Sequence, residues 1–101
     1  MIAKKHYLKS KPICKTKFVM PKQAVGNARS VNIVGDFNQW DTKACPMKRL
    51  KNGSFSIGLD LPAGKEYQYR YLIDGKTWEN DWSADKYVPS VFGPDNSVIV
   101  V

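Results

Sequence analysis

The stretch Val34-Gly35-Asp36-Phe37-Asn38-Gln39-Trp40-Asp41 decides the fold. The residues before it, Ser30-Val31-Asn32-Ile33-Val34, read as a buried strand. Gly, Asp and Asn then supply a sharp turn, because Gly tolerates unusual φ and short polar side chains bond to nearby backbone. The turn leads to a tryptophan. An indole in that place is either a lid on the core or an exposed flat platform. The second arrangement, a flat apolar ring with a polar surround, suits the apolar face of a sugar ring.

Working outward, period-2 alternation is plain and helical periodicity is essentially absent. Phe55, Ile57, Leu59 and Leu61 alternate with Ser54, Ser56, Gly58 and Asp60. Tyr67, Tyr69, Tyr71 and Ile73 alternate with Gln68, Arg70, Leu72 and Asp74. Turn signals separate these runs at Asn52-Gly53, Pro62-Ala63-Gly64 and Asp74-Gly75. Asp74-Gly75 is a strong hairpin signal, with Lys76-Thr77-Trp78 as the short returning strand. Further strands are expected near 14–20, 29–34 and 97–101. The pattern predicts an all-β, antiparallel sandwich of six to eight strands. The segment 79–96 is polar and aromatic with little alternation. Trp82, Tyr87 and Phe92 give it material to pack, so an ordered loop is expected, with Trp82 packing it onto the sandwich.

On the strand 66–73 the tyrosines share one face, read as core. Gln68 and Arg70 share the other, beside the two tryptophan-bearing turns. A glucose ring needs aromatic planes for its faces and forked donors or amides for its hydroxyl rim. Trp40, Trp78, Arg70 and Asn96 supply that set. Each has a plainer reading too. Arg70 can pair with Asp81 or Asp85, and Asn96 can cap a turn.

The ordered motifs GDFNQW, Leu61-Pro62-Ala63-Gly64, YQYRYLIDG and Asn96-Ser97-Val98-Ile99-Val100 resemble carbohydrate-binding module family 48, the isoamylase N-terminal or early-set family. That family includes the glycogen-binding domain of AMP-activated protein kinase β subunits. The resemblance covers roughly 14–101. Trp78-Glu79-Asn80-Asp81-Trp82 and Asp85-Lys86-Tyr87-Val88-Pro89 are similar to short free-standing bacterial members. The resemblance implies an immunoglobulin-like early-set sandwich that binds α-1,4-linked glucan, such as glycogen or starch, without catalysis. It implies stacking for Trp40 and for Trp78, the latter with Thr77 as one extra residue in its turn. Arg70 stands where the family has a lysine that bonds sugar hydroxyls. Asn96 matches a sugar-bonding asparagine. Phe92 stands in place of a leucine that pushes into the curve of the glucan, and Pro94 replaces a threonine, losing a hydroxyl contact. The alternative is a protein-interaction module that docks a glucan-metabolising enzyme or another partner, with sugar binding lost.

Charge and cysteines bound the rest. The net charge is +7, and residues 1–22 hold seven lysines (4, 5, 9, 11, 15, 17 and 22) with no acid. Residues 1–12 are read as a basic, flexible arm and 13–101 as the sandwich. The lysines lack interleaved aromatics apart from Tyr7, so a nucleic-acid partner is not expected. There is no secretory leader pattern and no apolar run that spans a bilayer, so the expected place is the cytoplasm and no membrane partner is expected. Cys14 and Cys45 could pair, but a reducing compartment favours free thiols. Their spacing and the single His6 make no metal site, and no cofactor is expected. A nucleophilic triad would have to draw on His6 in the arm, so no enzymatic activity is expected.

Overall fold

The computed structural model describes residues 1–91 and 93–101. Among them the chain forms nine strands: β1 (Ile2–Tyr7), β2 (Ile13–Met20), β3 (Val31–Gly35), β4 (Lys48–Arg49), β5 (Phe55–Pro62), β6 (Glu66–Ile73), β7 (Thr77–Glu79), β8 (Lys86–Val88) and β9 (Asn96–Val100). A single helical turn, α1 (Lys22–Val25), follows β2, and a 3-10 turn covers Asp36–Asn38. One sheet runs β1-β2-β5-β4; the other runs β3-β6-β9-β8, with β7 also on β6. All pairings are antiparallel. The all-β sandwich is the one the sequence predicts. The count exceeds six to eight because β4 has two residues, β8 has three, and β1 lies where an arm was expected.

Period-2 alternation becomes an inside and an outside. On β2, Cys14, Thr16, Phe18 and Met20 are buried and Lys15 and Lys17 are exposed. On β6, Tyr67, Tyr69 and Tyr71 face inward. Phe18 meets Tyr69 edge-on at 5.3 Å between ring centroids, a favoured aromatic geometry that joins the two sheets. The Asp74-Gly75 hairpin forms as predicted. Both residues have positive φ, 52° and 67°, as a tight primed turn requires. Asp74 also accepts the backbone N–H groups of Ser30 and Arg29, which hold its carboxyl below the usual range.

Two expectations are corrected. The first is the arm over 1–12: Ile2–Tyr7 pairs with β2, from Ile2 opposite Phe18 to Tyr7 opposite Cys14. Lys5 reaches the second sheet, donating to Asp85 at 2.6 Å and to the Val100 carbonyl at 2.9 Å. Backbone pairing carries this strand, and its lysines stay in solvent or find a carboxylate, so it needs no apolar alternation. The second is Trp82, which is 55% exposed and does not pack the 79–96 segment. Asp81 and Tyr87 hold that segment instead. The buried Asp81 carboxylate accepts both Tyr69 and Tyr71 hydroxyls, and the Tyr87 hydroxyl donates to the Asp81 carbonyl.

Candidate functional site

The turn after β3 is built residue by residue. Gly35 is extended backbone, but a Cβ there would lie 2.5 Å from the Gln68 carbonyl oxygen and 2.6 Å from the Tyr69 Cβ. The requirement is space, not φ. Phe37 turns into the core, its ring 6.2 Å from both Tyr67 and Tyr69. Asn38 is buried; its side chain accepts the Gly35 N–H and donates to the Ile33 carbonyl. Gln39 and Trp40 then both adopt positive φ, 55° and 57°, which reverses the chain. The Trp40 N–H closes the turn on the Gly35 carbonyl at 2.9 Å.

Trp40 is 36% exposed. Its indole N–H donates to Asp36 Oδ1 at 2.8 Å, while Asp36 Oδ2 accepts the Gln68 backbone N–H at 2.8 Å. One carboxylate therefore ties the indole to β6. The sequence shows Asp36 only as a turn residue; a carboxylate four positions before a tryptophan was the available signal.

Trp78 comes from the returning strand of the hairpin, opposite Leu72 on β6, and is 44% exposed. Between the tryptophan-bearing turns, Gln68 and Arg70 stand on the outer face of β6. Asn96, only 8% exposed, donates from Nδ2 to Gln68 Oε1 at 2.9 Å. The plainer readings of Arg70 do not hold. Asp81 is occupied by the tyrosines and Asp85 by Lys5, and Arg70 donates instead to the Pro94 carbonyl at 2.7 Å. That bond holds Pro94 beside the sheet.

These residues line one cleft of about 760 Å³, together with Pro89, Ser90, Val91 and Pro94. Its size is within the range of small-ligand clefts, roughly 300–1,000 Å³. Of the five expected site residues, Trp40, Arg70, Trp78 and Asn96 meet there. Phe92 lies outside the described residues. The sequence missed Gln68, which points the same way as Arg70 and orients Asn96. Arg70 is the charged group of the described lining, and both oxygens of Asp36 are engaged, by the Trp40 indole and by the Gln68 N–H. Among the described residues no cluster of His, Cys, Asp or Glu suits a metal, and Cys14 and Cys45 are free.

An antiparallel sandwich with two indoles and forked amides on the outside of one sheet is the architecture of a carbohydrate-binding module. Residues 23–99 match the family model described as the glycogen recognition site of AMP-activated protein kinase, and the chain belongs to that family. The resemblance read from the motifs is thereby borne out. Similar proteins include the 1,4-alpha-glucan branching enzyme GlgB of Nitrosomonas eutropha, 38% identical over 63% of this chain. The 5'-AMP-activated protein kinase subunit beta-2 of Homo sapiens is 41% identical over 72% of it. Protein PTST homolog 2, chloroplastic, of Arabidopsis thaliana is 32% identical over 74%. The chain spans only 9%, 25% and 13% of these relatives respectively, so each likeness concerns a part of a longer protein. Among the described residues no helix is long and apolar enough to cross a membrane.

Proposed function

We propose that this chain binds α-1,4-linked glucan, of the glycogen or starch kind, without catalysing its turnover. The carrying observation is the cleft in which Trp40 and Trp78, both partly exposed, flank Arg70, Gln68 and Asn96. The indoles offer planes for the C–H faces of glucose units. Gln68, Asn96 and Arg70 offer acceptors and donors for the hydroxyl rim. Hydrolysis of a glycosidic bond needs two carboxylates flanking it, and the described lining holds none. The description of the family and the name of the branching-enzyme relative support a glucan ligand, and that name supports a glucan-metabolising enzyme as the associated partner. Two free thiols fit a reducing compartment, and we place the chain in the cytoplasm.

Two stacked aromatics with a polar rim correspond to a dissociation constant of roughly 10 μM to 1 mM, about 4–7 kcal/mol. Isothermal titration with maltoheptaose tests this. Absence of heat, together with unchanged tryptophan emission at millimolar sugar, overturns the assignment.

Asp36 gives a second test. Asp36→Ala removes the acceptor that fixes the Trp40 indole. Glucan affinity is expected to fall by about 0.5–1.5 kcal/mol, the usual net value of a hydrogen bond. Asp36→Asn keeps one acceptor oxygen for the indole and should fall between the two. Titration of both variants, with tryptophan emission recorded in parallel, separates a loosened indole from a lost one.

A further inference from the structure

The outer face of the β1-β2-β5-β4 sheet is turned away from the tryptophan cleft, and it is basic. By register, Lys4 lies opposite Lys17, and His6 lies opposite Lys15. The next strand continues those rows with Gly58 and Asp60, and Lys48 lies opposite Ser56 at the far edge. Lys4, Lys15, Lys17 and Lys48 are all exposed, and among the described residues none forms an ion pair. Asp60 is the one acid in these rows. Gly58 puts no side chain on this face, and a Cβ there would make ordinary contact with the Thr16 carbonyl oxygen at 3.8 Å.

Lysines on edge strands commonly guard against edge-to-edge aggregation. That accounts for Lys4 on β1, but not for Lys15 and Lys17, because β2 is paired on both sides. Like charges placed directly opposite each other across strands destabilise a sheet. The Lys4–Lys17 pair therefore works against folding, and a bound anion would relieve it. The rows carry no Phe, Tyr or Trp on which a base could stack, and His6 is the one ring in them. Lys15 and Lys17 are two residues apart on one strand, so they repeat at about 6.7 Å. Carboxylates on alternate residues of an extended chain repeat at the same distance.

We propose that this face docks an extended acidic segment of a partner protein, laid along β1 and β2 over Lys4, Lys15 and Lys17. The segment and a glucan would occupy opposite faces of the sandwich, so both can be held at once.

The test uses the whole chain and a labelled short peptide of alternating Glu and Ser, read by fluorescence anisotropy. Binding that weakens steeply with added salt is expected, with none to the Gln and Ser version. Lys15→Gln with Lys17→Gln should weaken binding roughly tenfold or more, as loss of complementary charge does. Lys51→Gln with Lys65→Gln removes the same charge elsewhere and should bind like the parent. The charge-reversed pair, Lys15→Glu with Lys17→Glu, should instead capture a peptide of alternating Lys and Ser. Retardation by glycogen should be the same in all of them. Equal loss in both Gln variants overturns the proposal. So does tighter binding of a single-stranded oligonucleotide, or of phosphatidylserine vesicles, than of the acidic peptide at the same salt.

Discussion

Replacing both Trp40 and Trp78 by alanine is expected to abolish retardation of the chain by glycogen and leave the domain folded. Stacking of a base on an aromatic ring, taken as a rough analogue for a sugar, is worth about 1–3 kcal/mol per ring. The two indoles sit on separate elements, the turn after β3 and the strand β7, so their losses should nearly add. An affinity that begins between micromolar and millimolar then falls out of measurable range. Folding should survive because neither ring is in the buried cluster around Phe18, Tyr69 and Tyr71. A core lid would behave differently: its truncation costs about 3–5 kcal/mol and lowers the melting temperature sharply. Thermal unfolding and cathodic affinity electrophoresis in glycogen, run on each single variant and on the double, decide between the two. Early melting with retardation intact in the folded fraction would make the platform assignment wrong. Trp82, exposed and outside the cleft lining, remains in the double variant as a fluorescent reporter of the fold.

What the sequence made legible follows from the physics of each element. The alternation on β5 and β6 is strong because one face of each strand is core, so the tyrosine face of β6 and the sandwich were both readable. The Asp74-Gly75 turn was readable because positive φ at both positions leaves few residue choices. β1 was hidden because its pairing is a backbone matter, and Lys4, Lys5 and His6 look like a tail. β8 was hidden for a related reason: it is three residues held by β9 and by Tyr87. At the site, the residue types announced Trp40 and Trp78. The partners that orient the lining were not visible, since Asp36 acts across the turn onto Gln68, and Asn96 acts on Gln68 from 28 positions away. Arg70 lies in the cleft with the two tryptophans, but its carbonyl partner on Pro94 carries no side-chain signal.

Asp81→Ala is expected to cost the domain about 3–5 kcal/mol, the penalty usual for breaking a buried charged network by removing one partner. The carboxylate is 1% exposed. Its Oδ2 accepts the Tyr69 hydroxyl at 2.7 Å and the Tyr71 hydroxyl at 3.0 Å, and its Oδ1 accepts the Ser83 N–H at 2.8 Å. The Met1 amino group stands 3.9 Å away. Alanine leaves two buried hydroxyls without an acceptor, at about 1–3 kcal/mol each. Asp81→Asn keeps an acceptor oxygen and should lose less than half as much. Denaturant unfolding at neutral pH reads both, with an unchanged slope expected if the variants still unfold in one step. An Asp81→Ala midpoint close to the parent's would show that the hydroxyls find other acceptors. The pH dependence has a definite sign. Burial, first of all, raises both tyrosines above their ordinary value near 10; the neighbouring Tyr71 adds to this for Tyr69, and the Asp81 charge adds to it for both. A group whose folded pKa is raised contributes stability below its unfolded pKa, and that stability is lost as pH climbs above it. The parent should therefore weaken from about pH 10 upward as the unfolded tyrosines ionise. Glucan affinity at neutral pH supplies a last discriminating readout. The Asp81 carboxylate ties the chain between Trp78 and the cleft wall at Pro89, Ser90, Val91 and Pro94 to Tyr69 and Tyr71 on β6 and to the Ser83 N–H. If that anchoring positions the wall, the fraction of Asp81→Ala that is still folded should bind maltoheptaose more weakly than the parent, whereas a purely internal role would leave its affinity unchanged.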